Sequence, residues 1–120
     1  MTEDAGLDAA RASFREHCLA SDETSSNGDI EAADRHVDQI FAIASQYGEA
    51  GRASELLSPL LDDPSPGVRY AAAGHLMRLA RNDDDRERGR HVLEDLRDHG
   101  KGMAALDARI FLDRWHEQHQ

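Results

Sequence analysis

The stretch Leu60-Leu61-Asp62-Asp63-Pro64-Ser65-Pro66-Gly67-Val68-Arg69-Tyr70-Ala71-Ala72-Ala73-Gly74-His75-Leu76 joins two helices across a break that can be read residue by residue. Pro64 and Pro66 lack a backbone N–H, and each pushes its predecessor out of the helical region, so no helix runs through 62–67. Ser65 is a natural N-cap and Pro66 suits the first helical position, where its missing donor is not needed. Beyond the break, Val68, Ala72, Leu76 and Leu79 recur at steps of three and four, which gathers them on one helical face. Before it, Leu56, Leu57 and Leu60 mark a helix expected over 52–61. The break therefore predicts a helix, a tight turn and a second helix over 66–81.

The same pattern returns 36 positions later. Val92, Leu93 and Leu96 echo Leu56, Leu57 and Leu60, while Ala104, Ala108, Leu112 and Trp115 echo Val68, Ala72, Leu76 and Leu79. Thirty-six positions before Leu76 and Leu79 stand Ile40 and Ile43. A period of this length, made of two helices and short turns, is the signature of a stacked repeat. Four further helices complete the reading. The first spans 7–20 on Leu7, Ala10, Phe14 and Cys18, followed by a polar loop over 21–28. The second starts at the cap Asp29 and ends at Gly48. Asp83, Asp84 and Asp85 open the fifth, which suits the positive end of its dipole, and Gly100 stops it. The sixth covers 103–116. The expectation is one all-α domain over 1–120, frayed at 1–6 and 117–120.

The quoted stretch resembles the turn and second helix of a HEAT repeat, through its Asp, Pro, Val-Arg, Ala-Ala and Leu positions. From about residue 7 to Trp115 the order of features is similar to a small bacterial HEAT-like family of unknown function. Those features are a helix, a polar loop with Gly-Asp, the Ala-Asp-Arg-His-Val-Asp-Gln-Ile segment (33–40), Leu-Leu-Asp-x-Pro-x-Pro-x-Val-Arg, and a closing Gly-x-x-Ala-x-x-Ala-x-x-x-Leu-x-x-Trp. The resemblance implies a right-handed αα superhelix of about three antiparallel pairs, with the second, fourth and sixth helices lining a concave face. It brings no activity. By analogy with compact HEAT-like proteins it implies an immunity or adaptor role.

Composition agrees with helices. Eighteen Ala and 12 Leu stand against nine Val, Ile and Thr together, and unbranched side chains lose less freedom in a helix than branched ones. A net charge of −10 argues against nucleic acid as partner, because phosphate binding needs basic surface. Residues 1–50 carry 11 acids and three bases, so the acidity lies mostly in the first half. No apolar run reaches the ~20 residues that cross a bilayer, and no basic-then-apolar leader opens the chain. A lone Cys18 makes neither an internal disulfide nor a cysteine-based zinc site. A cytoplasmic location is expected.

Chemical motifs are sparse. Asp62 or Asp63 with Arg69 reads as a structural tie between neighbouring loops rather than an active-site pair. Residues 83–94 match a calcium loop at its ends but hold Arg88 where the loop needs glycine. His116 and His119 stand three apart at the end of the chain, without the four-residue spacing of a zinc helix. His75 shares the apolar face of Ala72, Leu76 and Leu79, as an interior hydrogen-bonded histidine does. No nucleophile triad, phosphate loop or paired-carboxylate pattern occurs. The expectation is no enzyme, no metal and no cofactor.

Two surfaces remain. Glu31, Asp34 and Asp38 fall on one stripe of the second helix, where like charges on neighbouring turns cost a few tenths of a kcal/mol that a basic partner relieves. On the sixth helix, Met103, Leu106 and Ile110 form an apolar stripe opposite Ala104, Ala108, Leu112 and Trp115. A last helix has no following repeat to cover such a stripe, so it docks a partner or a second copy, or folds back on the fourth or fifth helix. The leading expectation is a protein-binding module, an immunity protein that occludes a basic toxin domain. The alternative is an adaptor that forms a homodimer through its last helix.

Overall fold

A computed structural model describes residues 2–119. Its order is α1 (Thr2–Ser26), α2 (Ile30–Glu49), α3 (Ala53–Leu57) with a 3-10 turn (Ser58–Asp62), α4 (Pro66–Leu79), α5 (Asp83–His99) and α6 (Gly102–Gln118). Among the described residues there is no strand, and no helix is long and apolar enough to cross a membrane. Met1 and Gln120 lie outside the described residues; 2–6 and 117–118, expected to fray, are helical.

The break before α4 forms as its residues dictate. Ser65 Oγ accepts the Val68 N–H at 3.4 Å, and Pro66 starts the helix. Asp29 caps α2 by accepting the Ala32 N–H at 3.1 Å, and Asn82 caps α5 by accepting the Asp85 N–H at 2.8 Å.

Three boundaries differ from the sequence reading. The polar segment 21–28 is helical as far as Ser26, and only Asn27-Gly28-Asp29 turns, with Gly28 at φ 83°. Thr24 Oγ1 donates back to the Ala20 carbonyl at 2.8 Å, so one polar side chain joins the helix instead of opening it. Gly48 does not end α2: it lies inside the helix against Leu79, and Gly51 at φ 73° reverses the chain. The third predicted helix splits because Pro59 cannot donate to the Glu55 carbonyl four residues back. Arg11 on α1 takes that carbonyl at 2.6 Å and the Leu56 carbonyl at 3.0 Å.

Other arginines do the same at other helix ends. Arg81 donates to the Gly48 and Glu49 carbonyls, and Arg86 to that of Ala80 at 2.9 Å. Each adds a donor near a helix terminus, where intrahelical partners run out; the Gly48 carbonyl also accepts the Gly51 N–H at 3.0 Å.

α1 and α2 are antiparallel: the Tyr47 hydroxyl donates to the Gly6 carbonyl and His17 faces His36, so residue numbers rise on one helix as they fall on the other. α4 is the centre of the molecule. Val68 and every residue from Ala72 to Met77 are buried, and the helix packs against α1, α3, α5 and α6. Phe14, Leu56, Leu57, Leu76, Leu93, Leu96 and Leu112 complete the core at 0–1% exposure, each contributing about 1.5–3 kcal/mol by leaving water. At Gly89 of α5, a Cβ would stand 2.8 Å from the Ala73 carbonyl oxygen, so glycine sets how closely α4 and α5 approach. The radius of gyration is 13.8 Å and the shortest extent 24 Å, about two layers of helices each ~10 Å across.

Candidate functional site

The extension of α1 through 21–26 creates a wall. Facing it across an open groove of about 600 Å³ are the first half of α2, the start of α4 and the start of α6. Ser21, Asp22 and Ser25 come from α1; Ile30, Asp34 and Val37 from α2; Pro66, Gly67 and Tyr70 from α4; Lys101, Met103 and Asp107 from the approach to α6 and its first turns. The floor includes Cys18 and Ile40. Three carboxylates thus share the groove with Lys101, among apolar side chains of which Ile30 and Met103 are the most open, at 57% and 67% exposure.

The carboxylates are held uncomfortably. Partial burial pushes Asp107 above its ordinary value, and partial burial together with the charge of Asp107 does the same to Asp22. Asp22 lies directly over Gly67, in space that a Cβ there would fill. Burial and Asp107 also raise the Tyr70 hydroxyl, opposed by Arg114. Burial, with Asp22 and Asp63, pushes the Cys18 thiol up to about 12, which keeps it a neutral core group rather than a nucleophile.

Tyr70 also lines a smaller hollow of about 210 Å³, shared with Ile110, Phe111, Arg114, Trp115 and Gln118. Phe111, Trp115 and His119 stack in series along α6, the last two with ring centres 4.0 Å apart.

Comparison with protein-family models, curated proteins and solved structures finds no match.

Of the residues singled out in the sequence, Asp34 and Met103 meet at the groove and Ile110 borders the smaller hollow. Glu31 and Asp38 are exposed on α2 outside both hollows. Leu106 is 47% exposed and lines neither.

The turn tie differs from the expected side-chain pairing of Asp62 or Asp63 with Arg69. Asp62 is exposed; Asp63 is buried, accepts from Arg15 Nε at 2.6 Å and receives the Ser65 N–H at 2.9 Å. Arg69 donates to the backbone carbonyls of Asp63 and Pro64, at 2.8 and 3.3 Å.

Asp22, Tyr70 and Asp107 escaped the sequence reading. Asp107 follows Met103 by four and so shares its face. Asp22 follows Cys18 by four, but taking 21–28 as a loop concealed that spacing.

His75 is buried against Phe41 at 4.6 Å and Phe14 at 6.0 Å between ring centres, and its Nδ1 accepts from Arg78 at 3.0 Å. Burial, and then the charge of Arg78, lowers it to about 4, so the ring is neutral near pH 7. Among the described residues no three His, Cys, Asp or Glu side chains gather around one point as metal ligands.

Proposed function

We propose that this chain is a cytoplasmic, non-enzymatic protein-binding module, built as a HEAT-like right-handed stack of three antiparallel helix pairs. Its partner is a basic protein segment, in the first instance a toxin domain that the module occludes as an immunity protein. The observation that carries the reading is the groove in which Asp22, Asp34 and Asp107 stand beside Ile30, Val37 and Met103. Apolar side chains supply area and the carboxylates select a cation. Asp22 and Asp107 are costly to ionise in the free protein, and a lysine or arginine entering the groove relieves that cost. The two-layer thickness and the 36-residue echo support the stack.

The test looks for a toxin-like reading frame beside this chain's own and measures binding of its basic product. The reading expects a one-to-one complex whose association slows with salt and on Asp34→Lys or Asp107→Lys substitution. Association indifferent to both substitutions removes the groove from the account.

A second reading is self-association through α6, favoured by the exposure of Met103, Leu106 and Ile110 at 67%, 47% and 41%. A homodimer in solution that Leu106→Asp dissociates supports it, and a monomer at all concentrations excludes it.

A further inference from the structure

Away from the groove, α1 and α2 bring two histidines face to face. His17 Nδ1 stands 2.9 Å from His36 Nδ1, with ring centres 5.2 Å apart and ring planes inclined at 43°. Both residues are half-buried, and they occur at matching positions of the antiparallel pair. Two imidazoles cannot both donate along one line, so one Nδ1 carries a hydrogen and the other offers its lone pair. If the donor ring shifts its hydrogen from Nδ1 to Nε2, both lone pairs converge on the point between the rings. No proton leaves the pair in that exchange.

We infer that His17 and His36 form an inter-helix clamp for a divalent transition-metal ion of the zinc class, bound through both Nδ1 atoms. Imidazole nitrogen is the ligand such ions favour. A tetrahedral ion with bonds of about 2.0–2.1 Å separates two of its ligands by about 3.3 Å, so the rings need to part by only about 0.4 Å. Water fills the remaining positions, because the site has two protein ligands. α2 packs more extensively on α1 than on any other helix, so an ion at this point pins α2 to the rest of the fold. The inference does not depend on what the groove binds.

The experiment titrates the full chain, freed of metal with a chelator, with zinc chloride. One ion binds per chain, and at about 100 times its Kd it raises the melting temperature by roughly 5–15 °C. Nitrogen NMR shifts of both Nδ1 atoms move as the site fills. His17→Gln and His36→Gln each lose the shift while keeping the helical circular dichroism of the parent, and a His91→Gln/His116→Gln/His119→Gln variant retains it. A parent protein whose melting temperature and Nδ1 resonances ignore zinc overturns the inference. So does a zinc response that survives His17→Gln or disappears only when His91, His116 and His119 are replaced.

Discussion

Arg15 on α1 donates through Nε to Asp63 Oδ2 at 2.6 Å, tying the first helix to the turn that starts α4. Burial alone would raise the Asp63 carboxyl, but the Arg15 hydrogen bond, the Ser65 N–H and the charges of Arg15 and Arg69 hold it below its ordinary value. The two partners are unequal, because the Asp63 side chain is 7% exposed and that of Arg15 41%. Arg15→Ala leaves a buried carboxylate short of a donor and is expected to lower the midpoint of urea unfolding. Asp63→Asn keeps the shape and loses the charge, so it should cost less. Equal losses would place the tie's value in packing instead.

His75 makes stability depend on pH. Its native value of about 4 lies below the ordinary 6.5, so the unfolded chain binds a proton between these values while the native ring does not. Stability from this residue is complete above about pH 6.5, falls as the pH drops toward 4 and then levels, by on the order of 3 kcal/mol in all. His75→Gln should flatten that portion of a thermal-melting profile against pH. An unchanged slope would assign the acid sensitivity to other groups.

Gly89 lets the α5 backbone approach α4 where a larger side chain would collide. Gly89→Ala presses a methyl on the Ala73 carbonyl oxygen and on Met77 Cγ, at 2.8 and 3.0 Å before relaxation. Helix propensity favours alanine by about 1 kcal/mol, and overpacking costs about 1–3 kcal/mol, so net destabilisation is expected. A more stable variant would mean that α5 can shift outward freely.

Asp107 works in the opposite direction to Asp63. Its carboxyl is raised, so ionisation at neutral pH opposes folding; the group favours the native state at a pH below the ordinary 3.8 and loses that contribution as the pH rises. Asp107→Asn is expected to stabilise the free protein by a few tenths of a kcal/mol at pH 7, given its partial exposure, while weakening binding of a cationic partner. A variant that loses stability would show that Asp107 serves the fold.

The helical class was legible because proline, serine and aspartate act locally: Pro64, Ser65, Pro66 and Asp29 decide their turns without help from the rest of the chain. The face carried by Val68, Ala72, Leu76 and Leu79 was legible for the same reason. The extent of α1 was not, because 21–26 has poor helix formers that stay helical in a tertiary setting, where their side chains line a groove. The split of α3 depends on Pro59 together with Arg11, 48 residues away in the chain. The site was half legible. Asp34 and Met103 each stood out on a single helix, whereas Asp22 and Gly67 gain their meaning only when α1 crosses the start of α4.

The groove is tested most directly by adding a cationic amphipathic helical peptide of alternating lysine and leucine faces and following backbone amide resonances. The account predicts shifts confined to 18–37, 65–71 and 101–107, abolished by high salt and by joint Asp22→Asn, Asp34→Asn and Asp107→Asn substitution. Shifts scattered over the surface, centred on α5, or unaltered in the triple variant would contradict it.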